Sequence, residues 1–155
     1  MKTKLRPVSF AVMVLLLGGC QSAATEKAFP EGMVQMTSLV KADTSIIRQL
    51  VSQNVHIDFD IKELSNRVMA NEIGAEEMAK ARVAIHRFYS HVSIVDGRYV
   101  CSLKSASEIN ISERVFDGML DNLNELNEFA DKCRKKGEKY TMGQITEDYL
   151  NSLLR

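Results

Sequence analysis

Histidine is the side chain through which a small protein most readily binds a metal or moves a proton, and this chain has three, His56, His86 and His91. His86 and His91 are five residues apart, which on a helix turns them about 140° from one another, so they do not share a face as an i, i+4 pair would. His56 stands just ahead of Asp58 and Asp60, a trio of ligand types. That trio falls where one amphipathic segment ends and the next begins, so Asp60 has a simpler task as a helix cap. No serine sits in a Gly-x-Ser-x-Gly elbow and no glycine-rich loop could cradle a phosphate. The carboxylate neighbours Glu76 and Glu77, and Glu125 with Glu128, read as solvated helix faces. Lys135 and Lys136 suit the negative end of a helix dipole. These residues name no catalytic group, no metal ligand and no cofactor, and the expected protein is not an enzyme.

The N-terminus has a different character. Lys2, Lys4 and Arg6 precede an uncharged apolar run from Val8 to Leu17, the pattern of a secretory signal peptide. A membrane-spanning helix needs about 20 apolar residues, and this run is shorter and has no stop-transfer flank. It closes on Leu17-Gly18-Gly19-Cys20. That tetrapeptide resembles the bacterial lipobox, in which small residues admit a peptidase before a cysteine whose thiol carries diacylglycerol. The resemblance implies a signal peptide at 1–19, a lipidated Cys20 bearing acyl chains such as palmitate, and a membrane anchor made of lipid. Gln21 is not the aspartate that retains such proteins at the inner membrane, so the expected location is the outer membrane, facing the periplasm.

With the leader gone, 17 basic residues remain against 20 acidic ones. A weakly acidic body argues against nucleic acid as a partner, because phosphates demand a basic face. Lipid on Cys20 also leaves Cys101 and Cys133 together in an oxidising compartment, where two thiols are expected to pair. Closing that loop of about 32 residues would contribute roughly 3 to 4 kcal/mol in the chain-entropy account. Neither cysteine belongs to a close Cys or His pair, so zinc is not indicated.

Helices must position whatever acts. Residues 20–34 are small and polar, with Pro30 and Gly32, and read as a lipidated tether ahead of a domain at 35–155. Apolar residues at three and four residue steps predict a helix from about Met36 to Asn54. A second is capped by Asp60 with Glu63 as box partner and ends before Gly74. A third begins at Glu76 and Glu77, buries Met78, Ala81, Ile85 and Phe88, and ends near Tyr89 to His91. Val92 to Leu103 is β-branched and aromatic around Asp96-Gly97, a hairpin signal. Ser112 caps the longest helix, which Gly137 stops, and Thr141 with Gln144 has the spacing to open a last one. The fold class is therefore all-α, a single domain with a short β-hairpin near residues 92–103.

In size and parts the mature chain is similar to pilotins, small helical lipoproteins that escort secretin subunits to the outer membrane. Cys133 followed by Tyr140-Thr141-Met142-Gly143-Gln144-Ile145 and Tyr149-Leu150 looks like the tail of periplasmic immunity proteins that neutralise type VI secretion amidases. Neither likeness carries a functional residue over. The first implies an accessory module that binds an envelope protein, the second a toxin-neutralising or exclusion lipoprotein. An envelope enzyme is a third reading with no motif behind it. The expected partners are a membrane, through Cys20, and an unidentified envelope protein.

Overall fold

Asp43 opens the first helix by accepting the backbone N–H groups of Ser45 at 2.9 Å and Ile46 at 3.3 Å. The computed structural model describes residues 42–155, and the leader, Cys20 and all of the expected tether lie outside that range. Helix α1 is Thr44–Ser52, burying Ile47 and Leu50. Its expected start near Met36 falls outside the described residues. Helix α2, Ile61–Met69, is capped by Asp60 as its spacing predicts. It ends short of Ile73, because Asn71 turns left-handed with φ 56 and leaves Ile73 to be buried from a loop. Helix α3, Ala75–Tyr89, buries all four of the apolar positions expected of it.

The hairpin forms as the sequence predicts. Strands β1, Val92–Val95, and β2, Arg98–Cys101, pair antiparallel with Val95 opposite Arg98. Asp96 and Gly97 both take positive φ, 50 and 72, as a two-residue turn requires for its twist to match the strands. A short 3-10 turn, Ala106–Ile109, follows, which periodicity does not reveal. Helix α4, Glu113–Lys135, is capped by Ser112 and buries Val115, Phe116, Met119, Leu123, Leu126 and Cys133. Gly137 ends it in the left-handed region with φ 71.

The last helix departs from expectation. Helix α5 is Glu147–Leu153, with Thr146 and not Thr141 as its cap. The reason is packing: Met142 and Gly143 are buried, and the Gly143 carbonyl accepts the Tyr99 hydroxyl at 2.7 Å, so this stretch serves the core in irregular form. The described residues are thus mostly helical with one two-stranded ribbon.

Phe88 sits at the centre, fully buried, with edge-on contacts to Tyr89 at 5.3 Å and Phe116 at 5.9 Å. Helix α5 closes one side through Tyr149 and Leu153, and α2 covers a smaller cluster of Leu64, Ile73, Met78 and Ala81. Where α2 begins it lies so close to α4 that a Cβ on Gly118 would stand 2.5 Å from Ile61 Cδ1. Glycine there admits the neighbouring helix.

A two-stranded ribbon alone is marginal in water. Here α4 supplies the missing neighbour. The Asn127 side chain, 4 % exposed, accepts the Tyr99 N–H at 2.7 Å and donates to the Tyr99 carbonyl at 2.9 Å, as a third strand would. Arg87 does similar work below the hairpin. Its guanidinium donates to the carbonyls of Leu50, Val55 and Asn110 at 2.8 to 3.2 Å, joining the end of α1 to two loops.

Candidate functional site

The residues with the strongest chemical potential in the sequence are drawn into structural contacts. His56 donates from Nδ1 to Asn110 Oδ1 at 3.0 Å, and Asn110 in turn donates to the Asn54 carbonyl. Asp58 accepts a two-pronged contact from Arg114 at 2.6 and 2.8 Å. Hydrogen bonds from Arg114 first, and from Ser112, hold the Asp58 carboxyl down at about 2. Asp60 caps α2. Backbone bonding brings these groups together: Ile57 and Ile111 form a parallel bridge, with Ile57 N–H donating to Asn110 and Ser112 N–H donating to Ile57. The trio sits on a loop crossing, and each member points to a different partner.

His86 is half-buried on α3, where desolvation and then the neighbouring Arg87 disfavour its charged form. His91 is exposed beyond the end of that helix. Among the described residues no three His, Cys, Asp or Glu side chains converge as a metal group would need.

The expected bond between Cys101 and Cys133 is not formed: Cys101 is a free, half-buried thiol. The register explains why. The Gly97 carbonyl meets Arg134, Arg98 meets Asp131 and Tyr99 meets Asn127, so β2 runs opposite to α4. Cys101 lies two residues beyond Tyr99, while Cys133 lies six residues from Asn127 in the other direction. At about 3.3 Å per strand residue and 1.5 Å per helix residue, their Cα atoms stand on the order of 15 Å apart, and a disulfide needs under about 7 Å. Burial pushes the Cys101 thiol up, partly offset by a hydrogen bond from the Leu103 N–H. Cys133 is buried on the inner face of α4.

What the surface presents is a set of features that no motif announces. The outward face of the hairpin carries Val95, 49 % exposed, and Val100, 45 % exposed, beside Ser93 and Arg98. The alternation of the two strands places both valines there, a consequence of register that the turn signal Asp96-Gly97 does not fix. At the end of α4 nearest the hairpin turn stands a basic group: Lys132, Lys135, Lys136 and Lys139 are all exposed. Arg98 and Arg134, by contrast, both engage Asp131.

No helix among the described residues is long and apolar enough to cross a membrane. Comparison of the chain with protein-family models, curated proteins and solved structures finds no match.

Proposed function

We propose that this protein is a lipoprotein of the outer membrane, anchored through lipid on Cys20 and facing the periplasm, where it acts as a protein-binding accessory module and not as an enzyme. The observation that carries the reading is the order of features at the N-terminus: Lys2, Lys4 and Arg6, then the apolar run Val8 to Leu17, then Leu17-Gly18-Gly19-Cys20. Two further observations support a binding role. His56, Asp58 and Asp60 each have a structural partner, so the residues best suited to catalysis are already engaged in the fold. The hairpin shows Val95 and Val100 to solvent on the outward face of a ribbon that α4 braces through Asn127, and we assign the partner contact to this face.

The test has two parts. Cells fed radiolabelled palmitate should label the wild-type protein and leave the Cys20→Ser variant unlabelled, with the wild type recovered in the outer-membrane fraction. Photo-crosslinking groups placed at Val95 and Val100 should join the protein to one envelope component in living cells, and groups placed at exposed Gln53 and Asn66 should not. Equal labelling of the wild type and of Cys20→Ser would sink the anchor. Equal crosslinking from all four positions would sink the hairpin as a binding face.

A further inference from the structure

Helix α4 is polarised along its length. Its stretch from Glu113 to Glu128 carries five acidic residues, Glu113, Asp117, Asp121, Glu125 and Glu128, against Arg114, which Asp58 engages. From Lys132 to Lys139 the balance reverses, with five basic side chains and one acidic. The helix dipole favours acid at the start and base at the finish, but its influence fades within the first and last turn. Acidic residues continuing as far as Glu128 exceed what it requires, and Lys139 lies past the helix altogether.

Among the described residues the basic end is also uncompensated. Arg134 is held by Asp131 and by the Gly97 carbonyl. No carboxylate among the described residues lies within ion-pair distance of the exposed Lys132, Lys135, Lys136 and Lys139. Four mobile ammonium groups at one end of an otherwise acidic body complement a surface of spread negative charge. That surface needs no shape, only density, which is what the headgroups of an anionic bilayer provide.

We infer that the C-terminal end of α4 rests on an anionic lipid surface and that this contact orients the tethered body. The inference builds on the reading of Cys20 as the lipid-bearing residue. Ala42, the first described residue, is 22 positions from Cys20, so the two stand at most about 75 Å apart whatever the path between them. Within that radius a weak electrostatic contact acts at high effective concentration. The acidic turns of α4 are repelled by the same headgroups, so the two halves of the helix favour one orientation, basic end down. The hairpin turn, joined to Arg134, is then carried toward the bilayer, and the acidic end of α4 faces away from it.

The test uses the mature lipidated protein on vesicles of phosphatidylcholine, alone or mixed with phosphatidylglycerol, and a membrane-impermeant acetylating reagent read by peptide mass spectrometry. Acetylation of Lys132, Lys135, Lys136 and Lys139 should be roughly fivefold slower on the mixed vesicles. Exposed Lys62 and Lys104 should be acetylated equally on both. In 1 M salt, where screening acts within about 3 Å, the protection should vanish. Equal rates at the four lysines on both vesicles, or uniform slowing of all six, would overturn the contact while leaving the anchor intact. Recovery of the protein in the supernatant of both vesicle types would remove the anchor, and this inference with it.

Discussion

Replacing Asn127 by Leu isolates what the side chain does for the hairpin. Leucine has nearly the same volume and suits a site that is 4 % exposed, so the change removes two hydrogen bonds without opening a cavity. The Tyr99 N–H and carbonyl, bonded at 2.7 and 2.9 Å, lose their partners in a buried setting. Each orphaned backbone group costs about 1 to 3 kcal/mol, and the added apolar burial returns about 1, leaving a net loss of about 1 to 5 kcal/mol. For a folded body of this size, that lowers the midpoint of thermal unfolding by roughly 4 to 20 °C. Calorimetry reads the shift, and amide exchange should speed up at Tyr99 before it does on α3.

Asn127→Asp makes the same argument through pH. Its carboxylate still accepts the Tyr99 N–H but cannot donate to the carbonyl, whereas its protonated form can. Burial raises the folded pKa of such a group above its unfolded value, so the variant should approach wild-type stability in acid. It should lose stability as pH rises past the unfolded carboxylate range of about 4. A midpoint for Asn127→Leu within about 2 °C of wild type, equivalent to under 1 kcal/mol, would refute the idea that this amide completes the sheet.

Other residues give independent checks. Gly118→Ala gains about 1 kcal/mol of helix propensity, yet its Cβ meets Ile61 Cδ1 at 2.5 Å and must turn that half-buried side chain aside, so the net destabilisation in urea titrations should be about 0 to 2 kcal/mol. Adding Ile61→Val, which deletes that methyl, should recover part of the loss. Arg114, and then Ser112, hold the Asp58 carboxyl down at about 2, below its ordinary 3.8, so the stability it contributes is complete above about pH 4 and is lost as pH falls through 2. Carboxyl chemical shifts should show that midpoint, and Arg114→Leu should move it upward. Cys101 should be alkylated in the folded protein without prior reduction, slowly because its thiol is raised. Peptide mapping that finds Cys101 blocked until a reductant is added would contradict the register that separates it from Cys133.

Much of this fold was legible in the sequence because local signals agreed with one another. Asp60, Ser112 and Gly137 mark helix ends by chemistry that acts within a few residues, and Asp96-Gly97 marks the turn for the same reason. Failure came where long-range packing decided. Thr141 and Gln144 have a capping spacing, but the Tyr99 hydroxyl claims the Gly143 carbonyl from 44 residues away and keeps the segment irregular. Cysteine counting registers compartment and number, whereas pairing depends on how β2 slides along α4. Asn127 is a polar interruption in an apolar stripe when read along the chain, and its meaning exists only once Tyr99 lies beside it. Of the surface features, the lysines near residue 135 were visible but explained by the helix dipole, and the sustained acidity upstream is what that explanation leaves over.

The crossing of Ile57 and Ile111 is the neck of a long lasso. Everything between the two residues, including α2, α3 and the hairpin, lies inside one loop that is drawn shut by the backbone bridge, by His56 with Asn110, by Asp58 with Arg114 and by Arg87 from within. Pinching off about 54 residues costs roughly 3.5 kcal/mol of chain entropy beyond a constant. Contacts at the neck repay that cost only after the contents of the lasso have already shortened the path between its ends. On this account the noose tightens late in folding, once α2, α3 and the hairpin have formed.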